Sequence, residues 1–160
     1  MGAWFRWIRD LWLGRRQLGQ TTERVTETLI ADTHDIFTIT GGRILVTQIL
    51  GQFTIACATV SSIQLIATPL VGTFPLASAR AMCALLLVNG YEAGDLLGIT
   101  GVNTDAMLPP AASASVEGQT FGVVAQIGAI RILCNLIGPG SIRWTLKWVP
   151  IDNAAAVAAA

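Results

Sequence analysis

Very few residues in this chain are spaced to do chemistry. The single histidine, His34, lies in the stretch ADTHD between Asp32 and Asp35. Two carboxylates around an imidazole could serve acid–base work or begin a metal site. A zinc centre, however, needs further His or Cys ligands at short, regular spacing. There is no second histidine, and Cys57, Cys83 and Cys134 are remote from His34 and from one another. The cluster therefore reads as a polar turn entering a strand. A Ser–His–Asp arrangement could assemble across a fold, but no serine stands in a G-x-S-x-G elbow. The other carboxylates are scattered, Glu92 and Asp95 in one turn and Asp105 and Glu117 in a loop. The sixteen glycines form neither G-x-G-x-x-G nor G-x-x-x-x-G-K-[ST] and are expected to serve turns and bulges. No catalytic residue, metal or cofactor is expected, and the chain reads as a non-enzyme.

The residues that stand out instead crowd the start, MGAWFRWIRDLWLGRR. Three of five tryptophans and four of ten Lys+Arg residues fall in these sixteen positions. On a helix at about 100° per residue, Trp4, Phe5, Trp7, Ile8, Leu11 and Trp12 share one broad face. Arg6, Arg9, Asp10 and Arg16 fall opposite, with Gly14 as a stop. A secretory signal keeps its charges ahead of the apolar run; here arginines interrupt it. Such a segment can lie on a membrane surface, cap its own core, or lay tryptophans into a groove on a partner, with Trp and Arg as anchors. Partner docking is the favoured reading, with Trp4, Phe5, Arg6, Trp7, Ile8, Arg9, Leu11, Trp12, Arg15 and Arg16 as the binding residues. An extended arm with the same residues could do the same.

Composition agrees with a subunit made to be covered. Of 160 residues, 52% are hydrophobic and 12% charged, about half the usual charged share; mean hydropathy is +0.59. The greasiest run, ILVTQILGQFTIACATV, is broken by Gln, Thr and Gly and falls short of the roughly 20 apolar residues of a spanning helix. Low charge without a spanning helix points to surface buried in an assembly. The net charge is zero, which leaves no footprint for nucleic acid. The three cysteines sit in apolar contexts and read as buried free thiols, in keeping with a reducing cytoplasm.

From Thr21 the period changes from helical to two-residue. HDIFTIT, Gly41-Gly42 and RILVTQIL read as a hairpin; QFTIACATV, IQLIATP and LVGTFPLAS follow. AMCALLLVN reads as a strand, with a helix over AMCALLLVNGYEAG as the competing view. VNTDAMLPPAASASVEG is a long loop, and TFGVVAQIG and AIRILCNLI are parted at Gly128. In SIRWTLKWV, Ile142, Trp144, Leu146 and Trp148 alternate with Ser141, Arg143, Thr145 and Lys147, the mark of a half-buried strand. Eight to ten short strands predict an all-β chain with a single β-sandwich or jelly-roll-like domain. The organisation is a docking arm over 1–20, the sandwich over 21–150, and an Ala-rich tail over 151–160, expected to be a short helix or unordered.

Taken in order, IRDLWLGRRQLGQ, IFTITGGRILVTQILGQFT, GDLLGITG and SIRWTLKWVPIDNAAAVAAA resemble the small structural proteins of tailed bacteriophages, of the capsid decoration or cement type. The resemblance implies a non-enzymatic virion component, made in the bacterial cytoplasm and placed on the capsid surface. It would be a homotrimer whose partner is the major capsid protein, stabilising contacts between capsomers. The alternatives are a tail or connector subunit, which would form sixfold or twelvefold rings, and a peripheral membrane protein using the amphipathic N-terminus.

Overall fold

The computed structural model describes residues 19–58, 61–70, 78–135 and 140–160. Among the described residues there is no helix, and the strands run in chain order as follows. They are β1 (Gln20–Thr28), β2 (Asp32–Thr40), β3 (Ile44–Ile55), β4 (Ser61–Pro69), β5 (Arg80–Ala81) and β6 (Leu86–Val88). Next come β7 (Leu96–Gly98), β8 (Val123–Ala125), β9 (Gly128–Cys134), β10 (Ser141–Pro150) and β11 (Ala156–Ala159). All pair antiparallel in two sheets. The first runs β1–β10–β3, with β7 and β8 both on the far side of β3. The second runs β11–β2–β9–β4, with β5 and β6 both beyond β4. One apolar core draws on the inner faces of both, so the domain is an all-β sandwich.

The two-residue period decides which side chains enter that core. On β10, Ile142, Trp144, Leu146 and Trp148 are each at most 2% exposed, as the alternation predicts. On β2 a bulge between Asp35 and Phe37 resets the phase, which buries Ile36 and Phe37 in succession. An extra residue in one strand does this by letting two neighbours oppose one partner. Trp144 lies directly opposite Gly51. A Cβ at Gly51 would stand 2.9 Å from Trp144 Cζ3 and 3.0 Å from Ile142 Cγ2, so the missing side chain is the seat of the indole.

Two expectations need correction. Gly41-Gly42 does not close a hairpin: β2 pairs with β9 and β11, β3 with β10, β7 and β8. The glycines instead carry the chain from one sheet to the other. Glycine permits such backbone without choosing the partner; the choice is made by β3, which pairs with β10 along nearly all its length. At Gly41 (φ 70°) a Cβ would stand 2.0 Å from the Ala154 carbonyl oxygen, so the crossing packs tightly on the chain's last turn. Over AMCALLLVN the strand reading holds in part and the competing helix does not form, since Arg80–Ala81 and Leu86–Val88 are short strands on β4. Finally, the Ala-rich stretch is neither helical nor unordered: Ala156–Ala159 is an edge strand on β2. With no bulky side chains it still offers a full row of backbone groups, and Val157 packs on the core. The expected strand LVGTFPLAS falls mostly outside the described residues.

Candidate functional site

The polar cluster around His34 does not converge. Asp35 and His34 are consecutive on β2, so their side chains leave opposite faces. Asp35 pairs with the Arg131 guanidinium across the outer face of the second sheet. His34 is opposite Ile132 and its Nε2 is buried with no hydrogen-bond partner among the described residues. Asp32 accepts from the Thr33 amide at 2.7 Å, a local turn contact. The other carboxylates brace loops: Asp95 accepts from the Glu92 amide and Asp105 from the Thr100 hydroxyl. Among the described residues, no three His, Cys, Asp or Glu side chains are grouped to hold a metal ion.

The cysteines are all buried free thiols, as expected. Burial pushes the Cys83 thiol up to about 11, partly offset by a hydrogen bond from the Leu65 amide. Burial likewise raises Cys134, whose Sγ lies 3.7 Å from the Ser61 hydroxyl. A nucleophilic cysteine needs its thiolate, and these environments disfavour it.

The ten proposed binding residues, Trp4 to Arg16, lie outside the described residues. The place where they join the body is described. Gln20 pairs with Trp148, which sets Gly19 beside Val149 at one end of the sandwich. Gly19 has φ 88°, and a Cβ there would meet the Trp148 carbonyl oxygen at 3.3 Å. At this same end Arg43 and Asp152 join the sheet crossing to the final turn. The Arg43 guanidinium donates to both Asp152 oxygens, at 3.0 and 2.9 Å, and its amide donates to one of them at 2.7 Å. These three donors hold the Asp152 carboxyl down at about 2. The pair is not legible from spacing, because its members lie 109 positions apart.

Also at this end, a cleft of about 320 Å³ opens between β8 and the second sheet, lined by Ile39, Ala67, Pro69, Ala125 and Ala129, with Arg80 beside them. Large aliphatic side chains are exposed on both flanks of the sandwich. Val25, on edge strand β1, is 78% exposed, and Leu85 and Leu87, at the β6 edge, are 55% and 58% exposed. Because β1 lies beside β11, the β6 edge is on the opposite flank. No family model, curated protein or solved structure matches the chain.

Proposed function

We propose that the chain is a non-enzymatic structural subunit of a bacteriophage virion, a cement or decoration protein that trimerises on the capsid surface. The observation that supports this best is the exposure of large aliphatic side chains on opposite flanks, Val25 on one and Leu85 with Leu87 on the other. Leu85 and Leu87 stand two positions apart at one sheet edge, where a neighbouring subunit would cover both. Two different patches suit a head-to-tail contact, which closes into a ring when the rotation is right.

In this reading the arm binds the major capsid protein. Trp4, Phe5, Trp7, Ile8, Leu11 and Trp12 supply buried anchors, while Arg6, Arg9, Arg15 and Arg16 pair with acidic groups of the shell. A shell filled with DNA is pushed outward and is weakest along the seams between capsomers. A subunit bound on both sides of a seam adds its own binding energy to the cost of opening it. Three arms on one trimer bind as a multivalent unit, well above the affinity of one. The net charge of zero and the interrupted apolar runs give no part to nucleic acid or membrane.

The test is to delete residues 1–16 and measure occupancy on purified heads. Loss of binding with the trimer retained is expected; unchanged occupancy would sink the proposal. Copy number per virion separates the head surface, with hundreds of copies, from the tail or connector, with about a dozen.

A further inference from the structure

The two flanks of the sandwich carry opposite charges beside their exposed aliphatic side chains. On β1, Glu23 is exposed and stands opposite Thr145, two positions before Val25. Arg24 between them turns inward, since cross-strand partners share a face and its partner is the buried Trp144. On the other flank Arg80 is the charged residue of β5 and β6, exposed and opposite Ala67 of β4. Neither Glu23 nor Arg80 is in an ion pair among the described residues. Their order along the flanks also agrees. Gln20 pairs with Trp148 at the Gly19 end, so Glu23 comes before Val25 on leaving that end. Pro69 of β4 is opposite Gly128, and Gly128 is opposite Ile39 beside the sheet crossing, so β4 finishes at the same end. Arg80 on Ala67 is therefore near it. Leu87 on Ser62 lies five positions farther along β4, about 17 Å, with Leu85 between them. Both flanks read charge first and aliphatic second in the same direction.

We propose that copies of this chain join head to tail along these flanks, the β1 edge of one on the β5–β6 edge of the next, with Glu23 against the partner's Arg80 and Val25 between the partner's Leu85 and Leu87. This contact presupposes the self-assembly proposed above and gives it a register. Levels match when the rotation axis runs along the strands, because each residue then meets its own height on the next copy. With Val25 seated between the two leucines, Arg80 lies about 13 Å along the edge from that seat, and Glu23 about 7 Å. The remaining gap of about 6 Å is closed by the side chains, since arginine lays its methylene stem along apolar surface and carries its charge at the tip. The occupant is a second copy because each edge carries what the other lacks. Two β1 edges set together, or two β5–β6 edges, would leave each charge without its opposite, and like charges across a contact disfavour it.

The experiment uses the full chain as Val25→Cys, as Leu87→Cys and with both changes, each oxidised in solution. The three native thiols are buried and stay out of the reaction. The doubly changed chain should give covalent dimers and trimers, since its new thiols lie on opposite flanks and can bond only between copies. Each single variant should stay unlinked; dimers from either one, as readily as from the double variant, would set like edges together and overturn the proposal. Charge reversal is read in parallel by sedimentation. Glu23→Arg and Arg80→Glu should each raise the concentration for half-assembly about tenfold or more, because like charges then face each other. The two changes together should return most of that loss, and a double variant as weak as the single ones overturns the pairing of Glu23 with Arg80. Both sites are exposed, so the fold should keep its thermal transition. A trimer that forms no disulfide between positions 25 and 87 overturns the contact and leaves the virion reading standing, whereas a chain monomeric at every concentration sinks both.

Discussion

Replacing Gly51 by alanine tests how the core is built, because the structure fixes both the clash and its surroundings. The added Cβ would lie 2.9 Å from Trp144 Cζ3, 3.0 Å from Ile142 Cγ2 and 3.1 Å from Trp144 Cη2. Both neighbours are completely buried, so neither can swing into solvent. The indole must shift by a few tenths of an ångström against a packed sheet, and overpacking of this kind costs about 1–3 kcal/mol. Alanine recovers about 0.4–1 kcal/mol by reducing the freedom of the unfolded chain. The net is a loss of about 1–2 kcal/mol, or roughly 2–8 °C in Tm for a domain of this size. Gly118→Ala is the matched control: its Cβ would meet nothing within 4 Å, and it has no positive φ. That variant should be neutral or slightly stabilised. Thermal unfolding followed by near-ultraviolet circular dichroism reads both. A further check is Trp144→Phe, which replaces the indole by the smaller phenyl ring and removes Nε1, a buried donor with no partner among the described residues. In that background Gly51→Ala should cost less, a coupling expected of residues in contact. If Gly51→Ala melts at or above the Gly118→Ala temperature, the claim that the glycine seats Trp144 is wrong.

Asp152→Asn should flatten the acid limb of stability. The Asp152 carboxyl is held at about 2 by Arg43, below an unfolded value near 3.9, so its contribution is full above about pH 4 and is lost as pH falls toward 2. Denaturant midpoints of wild type and variant should therefore converge across that window; a constant gap down to pH 2 counts against the pair. The three thiols should resist alkylation in the native protein at pH 8, since all are buried and Cys83 is pushed up to about 11. All three should react once the chain is unfolded, and fast native labelling of Cys83 would contradict its placement. Removing residues 156–160 deletes β11 and uncovers the edge of β2, so Tm should fall by several degrees, with about 2–4 °C per kcal/mol lost. An unchanged Tm would mean that the strand adds nothing. Val25→Asp and Leu87→Asp, at exposed sites on opposite flanks, should each convert a trimer to monomers on sizing chromatography without lowering the Tm of the monomer. A trimer surviving both changes excludes these patches as its contacts.

What the sequence disclosed was local. The alternation in SIRWTLKWV named the four inward residues of β10 because one face of a strand must be apolar, and burial confirms all four. The apolar settings of the cysteines likewise foretold buried thiols. Pairing was not legible. Gly41-Gly42 resembles a hairpin turn, but whether two strands pair or separate into facing sheets depends on which distant strands compete for their edges. Here β10 takes β3 and β9 takes β2, and no local residue records that choice. The Ala-rich stretch was misread for a related reason: alanine favours helix in isolation, yet the open edge of β2 outweighs that preference. Arg43 and Asp152, or Gly51 and Trp144, could not be matched from spacing, since only the completed sandwich makes them neighbours.

The topology also ties the arm to the far end of the chain. In the first sheet, β1 pairs only with β10 among the described residues, and β10 sits between β1 and β3. The N-terminal strand therefore has no ladder to join until the C-terminal part has folded onto β3. Just beyond β10, Asp152 clips the last turn to Arg43, and β11 then closes the edge of β2. Such non-local pairing makes folding slow in comparison with local hairpins. It has a consequence at Gly19: its place beside Val149 exists only when β10 is in place. The junction at Gly19 is thus a property of the finished sandwich, created by pairing between the first and the tenth strands.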